Sequence, residues 1–157
     1  MTPRRQAREC ALMMLYGMDI TGQRADWALA RFWSGFQDRD LDPPPPWSLG
    51  KDGYRVALDE TARGYAERLV RGVELHKDAI DARIADASRK WRMERMALVD
   101  RNLLRLGTYE LGFEREIPPR VVLNEAIELA KEFGAAEARA FVNGVLDRVA
   151  KAGVDAM

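Results

Sequence analysis

Residues 119–150 read PRVVLNEAIELAKEFGAAEARAFVNGVLDRVA, and the spacing of their apolar side chains sets the fold class. Val122, Ala126, Leu129, Ala130 and Phe133 recur at helical intervals, and Ala138, Phe141, Val142, Val145 and Val149 repeat the pattern on a second segment. Gly134 stands between them, where a helix can end in the left-handed conformation without a Cβ penalty. A helical hairpin is expected. Its outer face carries Glu125, Glu128 and Lys131, of which Glu128 and Lys131 are one turn apart and suited to pairing. Gly144 in the second helix costs about 1 kcal/mol relative to alanine. A close helix approach or a surface contact is needed to account for it, and packing is the expected reason, with Asn143 buried and hydrogen-bonded to a neighbouring helix.

Working outward, Ile117, Pro118 and Pro119 form a turn that starts the hairpin. Before it, a helix is expected from Leu98 to Phe113, burying Val99, Leu103, Leu106 and Tyr109. Glu94 and Asp100 lie near its start, where acids suit the helix dipole. Residues 89–95, RKWRMER, are basic with one tryptophan. They suit either a nucleic-acid patch or, as the expected reading, an inward-packed Trp91 with its charges left in water. Two helices joined near Gly72 follow from Tyr54, Leu58, Ala62, Tyr65 and Leu69, then Leu75, Ala79, Ile80, Ile84 and Ala87. His76 has no partner for catalysis or metal binding and is read as a surface or capped residue.

Four consecutive prolines, Pro43–Pro46, deny backbone donors and exclude a helix or central strand. An exposed loop over 37–53 is expected, either an insertion or a ligand for an aromatic-grooved domain. Trp27, Leu29, Phe32, Trp33 and Phe36 mark a short aromatic helix of the core. At the start, Thr2 caps a helix with Pro3 at its first position, running to about Asp19 and burying Ala7, Ala11, Met14, Leu15 and Met18, with Gly22 just beyond. Arg4, Arg5 and Arg8 oppose the dipole of that helix, at about 0.3 to 1 kcal/mol each when exposed. They are either solvated and tolerated or meet an anion. Tyr16 lies within about 20° of Arg5 around the helix, and guanidinium groups with a ring beyond them suit single-stranded RNA.

The 157 residues are enough for one domain with a core, 47% hydrophobic and 32% charged, with a formal net charge of zero. An RNA site must therefore be a local patch. A single cysteine, Cys10, and a single histidine allow neither an internal disulfide nor a zinc cluster, and no glycine-rich nucleotide cradle is present. No nucleophile and base can be paired, so no catalytic residue, metal site or cofactor is assigned. With no signal segment and no long apolar run, a cytoplasmic protein is expected.

NEAIELAKEFG (124–134) followed by FVNGVLDRV (141–149) resembles the C-terminal signature of the NusB family of bacterial transcription antitermination factors. RQARECALMMLY (5–16) resembles that family's opening segment and RNLLRLGTYEL (101–111) its central one, whereas residues 19–90 share helical character only. The resemblance implies an all-α protein of about seven helices in two small bundles, a single unit over 1–157. It implies binding of boxA RNA together with the ribosomal protein NusE, an indirect link to elongating RNA polymerase, and antitermination in ribosomal RNA operons. By the same resemblance Arg4, Arg5, Arg8, Phe133, Glu137 and Phe141 face RNA, while Tyr16, Glu94 and Asp100 face the protein partner; Arg139 falls in the same turn of this chain and offers a phosphate contact. Periodicity alone would make Phe133 part of the apolar stripe. Ala140 stands where the family often has a lysine, which removes one basic contact. Two alternatives remain: a helical adaptor without direct RNA readout, and a domain related to rRNA cytosine methyltransferases. A homodimer covering the arginine face is compatible with the resemblance.

Overall fold

A computed structural model describes residues 2–37 and 60–153. The proline run of the expected loop, and Tyr54 and Leu58 of the expected third helix, lie outside the described residues. Seven α-helices and one 3-10 turn form among those described: α1 (Pro3–Thr21), α2 (Ala25–Gln37), α3 (Glu60–Leu75), α4 (Lys77–Ala87), the 3-10 turn Met93–Arg95, α5 (Leu98–Phe113), α6 (Pro119–Phe133) and α7 (Ala138–Ala152). The all-α expectation holds. The chain divides into two compact units, Met1–Val70 and Arg71–Met157. No helix among the described residues is long and apolar enough to cross a membrane.

In the first unit α1 begins as its sequence requires. The Thr2 hydroxyl accepts a hydrogen bond from the Arg5 amide at 3.2 Å, Pro3 occupies the first turn, and Gly22 ends the helix in the left-handed region at φ 74°. Ala7, Ala11, Met14 and Leu15 are buried as expected. In α2, Leu29, Phe32 and Trp33 are buried, and the Trp33 indole donates to Glu67 Oε1 at 2.9 Å. Trp27 departs from the expected core. It is exposed, with the Arg31 guanidinium 5.1 Å from its ring centre.

The second unit packs α4, α6 and α7 around α5, whose residues 102–112 are buried without interruption. α5 has the expected bounds, but a helix covered all round must also bury polar groups. Arg105 spans to Asp81 of α4 with two hydrogen bonds, Nε to Oδ1 at 2.9 Å and Nη2 to Oδ2 at 3.1 Å, so the guanidinium is matched rather than stranded. Removing either partner leaves a poorly solvated charge and costs about 3 to 5 kcal/mol. Close approach is set by small residues: a Cβ at Gly107 would stand 2.7 Å from Leu146 Cδ1, and one at Gly72 would enter the Tyr109 ring. Gly72 is therefore inside α3 and makes room for an aromatic ring, and the α3–α4 joint lies at His76 instead. That imidazole stacks on Phe113 at a ring separation of 4.0 Å. The joint turns Leu75 outward, 78% exposed, where periodicity placed it in the stripe, and Ala79 is exposed with it.

The hairpin of α6 and α7 follows the expected stripe, burying Val122, Ala126, Leu129, Ala130, Ala138, Val142, Val145 and Val149, and Lys131 approaches Glu128 at 4.0 Å. Its turn differs. Gly134 is extended at φ −95°, ψ 172°, so left-handed freedom is not what it supplies. A Cβ there would lie 2.6 Å from Ala138 Cβ and 2.8 Å from the Ala130 carbonyl oxygen, and the missing side chain lets α7 begin directly against the end of α6. Asn143 is exposed rather than buried, and a Cβ at Gly144 would meet only the Arg148 guanidinium, at 3.8 Å. Helix packing does not account for this pair.

Candidate nucleic-acid interface

The segment between α4 and α5 determines what the second unit presents to solvent. Ser88 ends α4: its amide and its hydroxyl both donate to the Ile84 carbonyl, at 2.9 and 2.7 Å, and its side chain is buried. The Trp91 amide then donates to the Ser88 carbonyl at 2.7 Å, closing a tight turn. Beyond it, Arg101 of α5 holds the 3-10 turn by donating from Nη1 to the Met93 carbonyl at 3.0 Å. With both ends fixed, the tryptophan projects outward. Trp91 is 60% exposed, which overturns the expectation that it packs inward.

Its ring meets Phe141 of α7 edge to face, with ring centres 6.2 Å apart and planes at 85°. The two form a corner of a pocket of about 640 Å³, within the range of roughly 300 to 1,000 Å³ usual for small-ligand sites. Lys90, Arg92 and Arg95 line it, as do Asp100 and Glu137. None of the three cationic side chains makes an ion pair among the described residues. Glu137 precedes α7 without capping it through its side chain. Asp100 sits in the first turn of α5 with Oδ1 shielded from solvent and without a hydrogen-bond partner among the described residues. Burial, then the nearby Glu137 carboxylate, push its pKa above the ordinary carboxylate value. A smaller pocket of about 390 Å³ shares Lys90 and Trp91 and adds Asp86, Arg89 and Arg148. Flat aromatic surface beside unpaired cations is suited to bases on a phosphate backbone.

A family model described as the NusB family matches residues 5–151. The chain belongs to the NusB family. The transcription antitermination protein NusB of Citrifermentans bemidjiense is 42% identical over 155 residues, 99% of each chain. That of Anaeromyxobacter dehalogenans is 45% identical over 151 residues, 96% of this chain and 92% of the relative. Among solved structures, NusB of T. maritima superposes with a TM-score of 0.75 at 36% identity, covering 96% of this chain and 92% of its own. Another, described as antitermination factors NusB and NusE in complex with dsRNA, reaches 0.75 at 28% identity over 98% and 99%.

Of the residues that the NusB resemblance singled out, the structure brings Phe141, Glu137 and Asp100 into the pocket. Asp100, expected on the partner side, thus shares a site with two residues expected to face RNA. Phe133 is half-buried at the end of α6, Arg139 is exposed on α7 and Glu94 is exposed on the 3-10 turn, but none of these lines the pocket. In the first unit Arg4 is exposed with its guanidinium 4.9 Å from the Tyr65 ring centre, Arg5 is half-buried, and Tyr16 is exposed. Arg8 is only 3% exposed, its guanidinium 5.9 Å from the same Tyr65 ring. A side chain so covered has no surface for a phosphate, and Arg8 leaves the set of candidate contacts. Trp91, Lys90, Arg92 and Arg95 join it. Their signal was the composition of RKWRMER, a basic run around one aromatic residue.

Proposed function

We propose that this protein binds single-stranded boxA RNA together with the ribosomal protein NusE, and thereby supports antitermination in ribosomal RNA operons through the elongating polymerase. It acts by recognition, without a catalytic centre. The observation that carries the reading is the Trp91–Phe141 corner flanked by Lys90, Arg92 and Arg95, none of them ion-paired among the described residues. Membership of the NusB family, and a solved relative described with NusE and dsRNA, support a role in RNA binding with NusE. In this reading the two rings stack bases and the three cations meet phosphates, while exposed Arg4 and half-buried Arg5 on α1 are separate candidates for phosphate contact. Tyr16 and Glu94 serve the NusE side. Phe133 and Arg139 remain candidates at the hairpin turn.

The test is a fluorescence-anisotropy titration of labelled boxA RNA with the protein, with and without NusE. Phe141→Ala and Trp91→Ala are each expected to weaken binding by about 1 to 3 kcal/mol, the usual loss for a base-stacking ring. Unchanged affinity in both variants, with RNA captured only through NusE, would make the protein an adaptor instead.

A further inference from the structure

We infer that the RNA track continues past Trp91 into the smaller pocket of about 390 Å³, where Arg148 of α7 holds the phosphate of a neighbouring nucleotide beside the open surface that Gly144 leaves. The inference rests on the RNA reading above and deepens it by adding a second subsite for the same strand. Lys90 and Trp91 line both pockets, so the two adjoin along the turn that ends α4. Phe141 lines the first and Arg148 the second. Seven residues apart on α7, they are about 10 Å apart along its axis and within about 20° of one direction around it. Gly144 falls three residues after Phe141 and four before Arg148, which puts all three on one helix face.

Folding accounts for neither Gly144 nor Arg148. An interior glycine weakens a helix, and no neighbour requires this one, since a Cβ would meet only Arg148 Nη2, at 3.8 Å. What the glycine supplies is bare helix backbone between an aromatic ring and a cation, where a ribose-phosphate chain can lie close. Arg148 is exposed and makes no ion pair among the described residues. Its cationic neighbours differ: Arg89 of the same pocket is held by Asp86 at 3.1 Å, and Lys151 by Asp147 at 2.8 Å. Lys151 also occupies the last turn of α7, the turn in which a cation offsets the helix dipole, so the dipole does not call for Arg148 as well. A guanidinium fork matches two phosphate oxygens at once. Lys90, common to both pockets, stands where the strand passes from one to the other.

The experiment titrates labelled single-stranded boxA RNA with the full chain and NusE across about 50 to 200 mM salt, for the native protein, Arg148→Ala, Gly144→Gln and Lys151→Ala. Arg148→Ala is expected to flatten the slope of log affinity against log salt by about 0.7, so that its affinity falls about 2.6-fold less than the native one over that range. Gly144→Gln is expected to weaken binding severalfold yet melt no lower than the native chain, because glutamine is the better helix former and its side chain fills the open surface. Lys151→Ala removes the same charge from the same helix outside both pockets, and its slope is expected to match the native one. A native slope in Arg148→Ala, equal flattening in Lys151→Ala, or native affinity in Gly144→Gln overturns the inference. So does weaker NusE binding by Arg148→Ala in the absence of RNA, which would make the pocket a protein contact. Trp91→Ala and Phe141→Ala, titrated alongside, keep the two readings apart. If they weaken RNA binding while the Arg148 and Gly144 variants do not, the first pocket stands without the second; if they too bind as the native chain does, the RNA reading itself falls.

Discussion

Gly134 is required by its neighbours and not by its backbone angles. At φ −95° any residue could follow α6, yet a Cβ would stand 2.8 Å from the Ala130 carbonyl oxygen, a backbone atom that cannot swing aside. Gly134→Ala is therefore expected to cost about 1 to 3 kcal/mol, typical of overpacking, read as a lower urea midpoint at unchanged slope. Asp100 has the opposite character, because its ionised form is held at a disadvantage by burial and by Glu137. Its pKa is higher folded than unfolded, so the native state binds the extra proton and stability falls as pH rises through that window. Asp100→Asn is expected to melt at a higher temperature than the native chain at pH 7. The gap should close as the pH drops towards the unfolded carboxylate value of about 4. A gap that is constant or widens on acidification would mean that Asp100 is not destabilised by its surroundings.

At the scale of elements, two glycines on crossing helices separate packing from surface. Gly107 of α5 faces Leu146 of α7, which is fully buried and has little room to turn, whereas Gly144 faces only the Arg148 guanidinium. Gly107→Ala is expected to destabilise by about 1 to 3 kcal/mol, and Gly144→Ala to be neutral or to stabilise by up to about 1 kcal/mol, the helix-propensity gain. Thermal melts of the two variants check the contrast. The same helices show what periodicity can and cannot reveal. α1, α5, α6 and α7 were legible because each carries a cap, a proline or a long apolar stripe that fixes both ends and the buried face. The α3–α4 joint was not, since Gly72 reads as a breaker in sequence but serves as space for the Tyr109 ring. Trp91 was misread for a related reason: it lies between helices, where no period says which way a side chain faces. Arg8 was misread because a long cationic side chain on a helix normally reaches water, and only the fold shows it covered. Phe141 and Glu137 were named through the family wording as RNA-facing and Asp100 as partner-facing, but their company with the RKWRMER cations was a tertiary fact.

Across the whole molecule, 25 basic residues balance 25 acidic ones, so no net field draws RNA from a distance. Attraction must come from cations within about 10 Å of the strand, the screening length at 0.1 M salt. Lys90, Arg92 and Arg95 are such a group, on one pocket and without an ion pair among the described residues. Three phosphate contacts on a single strand give a log affinity against log salt slope of about −2, each contact contributing about 0.7. Arg92→Ala with Arg95→Ala is expected to flatten the slope by about 1.4, and Arg4→Ala with Arg5→Ala to flatten it by up to the same amount. The two effects add if one RNA meets both sets of arginines. Anisotropy titrations of boxA RNA across about 50 to 200 mM salt read all three values, a range over which a few contacts already change affinity severalfold. A slope unmoved by the Arg92 and Arg95 pair would show that these cations do not meet phosphate. A slope flattened by that pair but untouched by Arg4 and Arg5 would confine the RNA to the second unit and leave the first to its protein partner.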